Sequence, residues 1–358
     1  MTSDIAGYDD WPAAVRARPA VAGDAVTTAV ARALGVPRPL PGAVDVLGRT
    51  REDGVERTEL RWSTGLGPPT RAWYLRPQDA GDAALPGVLA LHCHAGVKSV
   101  GAERLVRTGR PVAAELRREL YGGRPLADAL ARAGFAVLAH DTFGWGSRGF
   151  RLDPPPPRVA RWLGEEDRAA TDPDRRYDAA AALHEATAAK YAGALGTSLA
   201  GMAAHDDLVA LEHLRVLPGV DGERVAVAGF SGGGARAAVL TALDPRIRAS
   251  AIVCMMSTFA ALLPEHLDAH SWYFAVPGLP ATLDWPEVAL GRGAHDQLVV
   301  YAEDDALFTR EGMAAADRML RDRFPAGRYR GDFHPGPHRF DVPMQDRVAD
   351  FLTGALAG

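Results

Sequence analysis

An α/β protein with a mostly parallel central sheet is what this 358-residue sequence predicts, and three patterns carry the prediction. Short, continuous apolar runs recur at 88–91, 136–139, 225–228, 251–253 and 298–300, as strands do when both of their faces are covered. Helical patterns at 125–133, 206–216 and 312–323 separate them, and a parallel sheet needs crossovers of that kind. Ahead of these runs, 55–62 and 70–77 alternate polar and apolar residues around the turn cluster Gly65-Leu66-Gly67-Pro68-Pro69. That pattern predicts an antiparallel hairpin with one solvated face.

Composition narrows the class further. Hydrophobic residues make up 47% and charged residues 24%, a balance that supports a globular core. A net charge of −5 leaves no basic footprint for nucleic acid or an anionic membrane, and no apolar run approaches a membrane span. The acidic N-terminus lacks a signal peptide's basic and apolar regions. With Cys93 and Cys254 as the only cysteines, the expectation is a reduced, cytoplasmic protein without a disulfide framework. Residues 1–45, with Trp11-Pro12 near the start and Pro37-Arg38-Pro39-Leu40-Pro41 at the end, predict a helical surface arm or an edge-covering segment. Residues 46–358 show no repeat or linker and predict a single domain. Two stretches, at about 150–200 and 257–295, interrupt the alternation and are expected to wall or lid a site. The first holds the proline run 154–157 and an alanine-rich helix at 178–191, the second the aromatic cluster Ser271-Trp272-Tyr273-Phe274. Both follow strand C-terminal ends, where open α/β sheets bind ligands.

The stretch with the most chemistry is Gly229-Phe230-Ser231-Gly232-Gly233, which fits G-x-S-x-G between an apolar strand and a helical pattern. A strand turning abruptly into a helix forces the serine into strained dihedrals, and a Cβ two residues to either side would collide with its neighbours. The hydroxyl then stands exposed at a helix N-terminus, where negative charge is favoured. An ordinary glycine-rich turn would satisfy the same pattern, so Ser231 as nucleophile rests on the strand before it and the helix after it.

A serine hydroxyl needs a base, and the base an orienting acid. After the strand near 297–301 come Glu303, Asp304 and Asp305; Asp305 is favoured because it precedes the apolar pair Leu307-Phe308. Before the final helix pattern at 342–352 lie His334 and His338. His338 is favoured by its Gly-x-His context directly before that helix. The expected oxyanion donors are the main-chain N–H groups of Gly232, directly after the serine, and of His94 or Ala95 on the loop 91–98, with His94 preferred. A rival reading takes His92, His94 and the pair His140-Asp141 as metal ligands; alternate residues on a strand face opposite ways, which argues against it. His213, on an amphipathic helix, reads as a surface residue.

These residues together resemble the α/β-hydrolase superfamily, and within it the dienelactone hydrolase-like and acetyl xylan esterase-like bacterial branch. The carriers are Leu91-His92-Cys93-His94-Ala95-Gly96-Val97-Lys98, similar to L-H-G-H-G-G-G-K, Asp141 to Arg148, similar to D-x-x-G-x-G-x-R, the elbow at 229–234 and Leu243-Asp244-Pro245-Arg246-Ile247. The likeness spans about residues 55–355 and departs at Cys93, Ala95 and Val97, where the pattern has glycines. It implies an α/β-hydrolase fold with lid insertions, Ser231, Asp305 and His338 as a triad, and hydrolysis of a carboxylic ester of a small or medium-sized substrate without a cofactor or metal. Asp141 is expected to brace its turn through backbone or Arg148. Phe143, Trp145, His270, Trp272 and Tyr273 are candidate substrate contacts. Acyl transfer, cyclisation or thioester cleavage by the same triad is the alternative, with a metal hydrolase and a non-catalytic binder behind it. A homodimer is conceivable from sequence but nothing in it specifies one.

Overall fold

The computed structural model describes residues 24–37, 41–291 and 294–357. Its strands are β1 (Val44–Glu52), β2 (Val55–Trp62), β3 (Thr70–Pro77), β4 (Leu85–Leu91), β5 (Ala136–His140), β6 (Val220–Phe230), β7 (Ala249–Val253), β8 (Asp296–Ala302) and β9 (Tyr329–His334). They form one sheet in the order β1-β2-β3-β5-β4-β6-β7-β8-β9. β1, β2, β3 and β5 pair antiparallel, and every pairing from β5 through β9 is parallel. The fold is therefore the mostly parallel α/β sheet expected, with the hairpin of β2 and β3 feeding it.

Alternate residues of the central strands enter two cores, which is why these strands read as unbroken apolar runs. Leu89, Leu91, Val225, Val227 and Val299 pack on one face. Val88, Ala90, Ala226, Ala228 and Val300 pack on the other. The first face is covered by α1 (Asp24–Leu34), α7 (Leu199–Val216), α8 (Gly232–Leu243), α9 (Trp285–Leu290) and α10 (Arg310–Arg323). The second carries α3 (Leu126–Arg132) and α11 (Val342–Ala355), while α2 (Pro111–Leu120) packs Ala113 and Leu116 against Val100.

Three expectations change at this level. Over residues 24–34 the expected arm is a core helix: Val26, Val30 and Leu34, one turn apart, are buried in the first core, and α1 packs on α8. The arm's end, from Val44, is already β1, and its residues 1–23, with Trp11, and 38–40 lie outside the described residues. His213 is buried rather than on the surface, its ring 4.8 Å from that of Trp62, because the apolar covering of α7 extends around the helix. The strands β1 and β9 were not expected. Both are sheet edges: β1 is exposed at every position but its first, so it shows no apolar alternation to detect.

The two insertions leave the C-terminal ends of β5 and β7. The first contains α4 (Pro157–Trp162), α5 (Glu165–Arg168) and the long α6 (Pro173–Ala194). The second contains short 3-10 turns, Phe259–Leu262 and Leu267–Ala269, before α9. α6 starts earlier than the alanine run because Asp172 caps it, accepting from the Asp174 N–H at 2.9 Å. Likewise α7 starts at Leu199, where the Ser198 hydroxyl accepts from the Gly201 N–H at 2.9 Å. No helix among the described residues is long and apolar enough to cross a membrane.

Candidate active site

Ser231 stands between β6 and α8 with φ 54° and ψ −123°, a conformation rarely adopted by a residue with a side chain. Such strain costs about 1–3 kcal/mol and persists only where the surroundings over-determine it. They do: the Ser231 N–H donates to the Val253 carbonyl at 2.8 Å, and its carbonyl accepts from the Ala235 N–H at 3.0 Å. The flanking glycines are steric requirements. A Cβ on Gly229 would overlap the Gly233 carbonyl, and one on Gly233 would overlap the Leu91 carbonyl.

Two loops bring partners to this serine. His338, between β9 and α11, places Nε2 2.9 Å from Ser231 Oγ and Nδ1 2.6 Å from Asp305 Oδ2. The wholly buried Asp305 carboxylate follows β8, and its other oxygen accepts from the Leu307 N–H at 2.9 Å. The neighbouring acid Asp304 faces solvent and pairs with Arg310 at 3.0 Å, and the main-chain N–H of Glu303 donates to the His334 carbonyl. His334 turns to Asp341 at 3.3 Å. Of the alternatives open in the sequence, Asp305 and His338 are thus the pair brought to Ser231.

The loop after β4 passes beside the elbow. A Cβ on Gly232 would sit 2.9 Å from the His94 nitrogen, so glycine there lets the loop after β4 pass close against the elbow. The loop turns through Ala95 at φ 54° and Gly96 at φ 69°. It is braced by Arg104, a buried side chain that motif reading did not single out. Its guanidinium donates to the carbonyls of Cys93 at 3.0 Å, His94 at 3.4 Å, Val97 at 2.6 Å and Gly101 at 3.1 Å, and to that of Val100. Trp145 Nε1 adds a bond to the His94 carbonyl at 3.3 Å.

The residues of the rival metal reading go separate ways. His92 Nδ1 meets the Cys93 carbonyl at 3.0 Å, His140 Nε2 meets Asp207 at 2.9 Å, and His94 Nε2 meets Glu185 at 3.2 Å. Asp141 accepts from the N–H groups of Ala102 and Ser147, both at 2.8 Å. It braces its turn through these N–H groups and the Ser147 hydroxyl, not through Arg148. Arg148 instead forms a paired contact with Asp206 at 2.9 and 3.0 Å. Among the described residues, the set that gathers three potential ligand atoms within 4.8 Å is Cys254, Asp305 and His338, two of them the serine's own partners.

The aromatic candidates divide. Phe143, Trp145, Trp272 and Tyr273 line one narrow pocket together with Lys98 and Glu185. His270 lines instead the cleft of about 190 Å³ over Ser231, His94 and His338; Ser271 borders both spaces, and an adjoining hollow brings His270 and Trp272 together. His270 Nε2 meets the Leu307 carbonyl at 3.0 Å, and burial pushes its pKa down. Glu185 of α6 was not anticipated from sequence. It has no motif, and only folding carries an alanine-rich helix across the loop after β4.

An elbow serine, a histidine on the loop before the last helix and an acid after a parallel strand, set on this sheet, define the α/β-hydrolase fold. The comparisons with known proteins agree on that fold. No family model matches the sequence. The Bacillus subtilis (strain 168) protein named "Putative hydrolase YtaP" is 25% identical over 250 residues, 70% of each chain. Among solved structures, a glucuronoyl esterase from Solibacter usitatus superposes with a TM-score of 0.61 at 13% identity, covering 93% of this chain and 92% of that one. Acetyl Xylan Esterase 1 from Thermoanaerobacterium sp. JW/SL YS485 does so at 0.56 and 15% identity, covering 96% and 98%. Methylesterase BT1017 gives 0.61 at 19% identity over 92% of this chain, which spans only 62% of the methylesterase.

Proposed function

We propose that this chain is a serine hydrolase that cleaves a carboxylic ester through an acyl-enzyme. The observation that carries the reading is the continuous relay from Ser231 Oγ through His338 to Asp305, at 2.9 and 2.6 Å. With the Nδ1 proton directed to Asp305, the Nε2 lone pair faces the serine. Ser231 Oγ attacks the ester carbonyl carbon as its proton passes to Nε2, and Asp305 stabilises the imidazolium that results. The main-chain N–H groups of His94 and Gly232 receive the oxyanion. Collapse expels the alcohol, which takes the proton back from His338. Water, activated by the same imidazole, then releases the acid and restores Ser231.

A cleft of about 190 Å³ suits a small or medium-sized ester. Glucuronoyl, acetyl xylan and methyl esterases among the structural neighbours favour an ester of a carbohydrate or of its acid. Trp272, on the second insertion, offers an exposed ring beside that cleft to such a substrate. The test is Ser231→Ala against p-nitrophenyl acetate, with fluorophosphonate labelling in parallel. Loss of turnover and of labelling at Ser231 is expected; turnover equal to that of the parent would overturn the reading.

A further inference from the structure

The carboxylates on one face of α6 turn toward the segment that follows β4, and two of them, Asp178 and Glu185, reach the loop that holds the His94 N–H. Asp174 pairs with Arg110 at 2.5 Å. Asp178 accepts from the main-chain N–H groups of Lys98 and Ser99, each at 2.7 Å, and from the Ser99 hydroxyl at 2.9 Å. Glu185 reaches furthest in, meeting Lys98 Nζ at 2.6 Å and His94 Nε2 at 3.2 Å. The spacing of four and seven residues puts the three on one helical stripe.

The His94 ring is held at both nitrogens. The Gly96 N–H donates to Nδ1 at 3.0 Å, so the proton sits on Nε2 and points at Glu185. Lys98 lies 3.8 Å from the centre of the Trp145 ring, whose own N–H bonds the His94 carbonyl. Glu185 therefore closes a ring of contacts around a loop whose turn uses a non-glycine residue at positive φ. Left-handed backbone at Ala95, φ 54°, is disfavoured for a residue with a side chain and needs such support. Burial alone would raise the Glu185 carboxyl, but the bond from His94 and the Lys98 ammonium outweigh it and bring its pKa down to about 2. The latch is ionised throughout the neutral range.

We propose that Glu185 is a positioning residue: from the lid helix it holds the His94 ring and Lys98 and so fixes the loop that presents the His94 N–H to the oxyanion. This rests on the serine hydrolase reading above. A donor displaced by about an ångström loses transition-state stabilisation while ground-state binding is kept, so the signature is a fall in kcat at near-constant KM.

The experiment measures kcat and KM with p-nitrophenyl acetate for Glu185→Ala, Glu185→Gln, His94→Ala and the double variant Glu185→Ala/His94→Ala. Thermal melting tests folding, and Glu166→Ala, an exposed residue of the same insertion, is the control. Expected is a fall in kcat of roughly 10- to 100-fold for Glu185→Ala with KM within about threefold. Glu185→Gln keeps an oxygen for the His94 N–H and should recover most of that loss. The double variant should lose much less than the product of the two single losses, because the contact between Glu185 and His94 is already gone in either single variant. Parent-like kcat in folded Glu185→Ala, or a rise in KM alone, overturns the proposal; so does additivity in the double variant. Should Glu185→Ala not fold, Glu185→Gln and His94→Ala carry the test, and parent-like kcat in both overturns it. Activity retained by Ser231→Ala would instead sink the hydrolase reading itself, so the two failures are distinguishable.

Discussion

Asp305 and His338 are joined by a 2.6 Å hydrogen bond across 33 residues of chain, and the acid has no solvent-exposed side-chain surface. A buried carboxylate bonded to one imidazole nitrogen dictates which nitrogen carries the proton. Asp305→Asn keeps the shape but offers an amide that can donate to Nδ1, which turns the Nε2 proton toward Ser231. The expected outcome is a kcat lower by roughly 10³- to 10⁴-fold with little change in KM. Steady-state assays on an activated ester decide it, and a loss under tenfold contradicts the assigned role.

The elbow glycines should act on stability rather than only on rate. A Cβ on Gly233 would meet the Leu91 carbonyl, which is main chain and cannot swing aside. Gly233→Ala is expected to cost about 2–4 kcal/mol, or to prevent folding. Urea denaturation measures this, and a midpoint equal to the parent's would show that the sheet gives more than its packing suggests.

Arg148 and Asp206 form a buried pair, with 1% and 0% of their side chains exposed. Arg148 also donates to the carbonyls of Leu66 at 2.7 Å and Pro68, tying the turn between β2 and β3 to α7. Arg148→Met strips Asp206 of its guanidinium and leaves the buried carboxylate only its 3.3 Å contact with His205 Nδ1, and about 3–5 kcal/mol of destabilisation is expected. Arg148→Met/Asp206→Leu should recover part of it, because no lone charge remains buried. Equal stabilities for the single and double variants would refute the ion-pair account.

His295 should contribute to acid sensitivity, beside the buried His92, whose pKa burial also pushes well down. Burial lowers the His295 pKa from 6.5 to about 4, against a weaker raising effect of its contact with Gln297 at 3.2 Å. The unfolded chain takes up this proton near pH 6.5, while the folded chain resists until about pH 4. Stability from this group is therefore complete above pH 6.5 and declines as pH falls toward 4, by on the order of 3 kcal/mol. His295→Leu should flatten that part of the pH–stability curve in urea titrations. A slope unchanged by the substitution would assign the acid sensitivity elsewhere.

Much of the fold was legible because the signals are local. A strand covered on both faces must be apolar at successive positions, as at 225–228, and a G-x-S-x-G turn must have glycines whatever lies far away in the chain. The helix limits shifted where a cap decided them, at Asp172 and Ser198. Edge strands were invisible for the same physical reason: β1 buries almost nothing, so nothing selects an alternating pattern in it. The burial of α1 and of His213 depends on which helices lie over them, and no periodicity reports that.

By itself, the sequence determined the class of sheet, the elbow at Ser231 and the chain order of serine, acid and histidine. These follow from sterics and hydrophobic periodicity among near neighbours. Only the tertiary structure decided which of three adjacent carboxylates and which of two histidines meet at the serine, since each choice rests on which side chain a loop turns inward. It also brought Arg104 and Glu185 to the His94 loop. Buried polar partners are selected by unpaired hydrogen-bonding groups that exist only once distant segments have packed together.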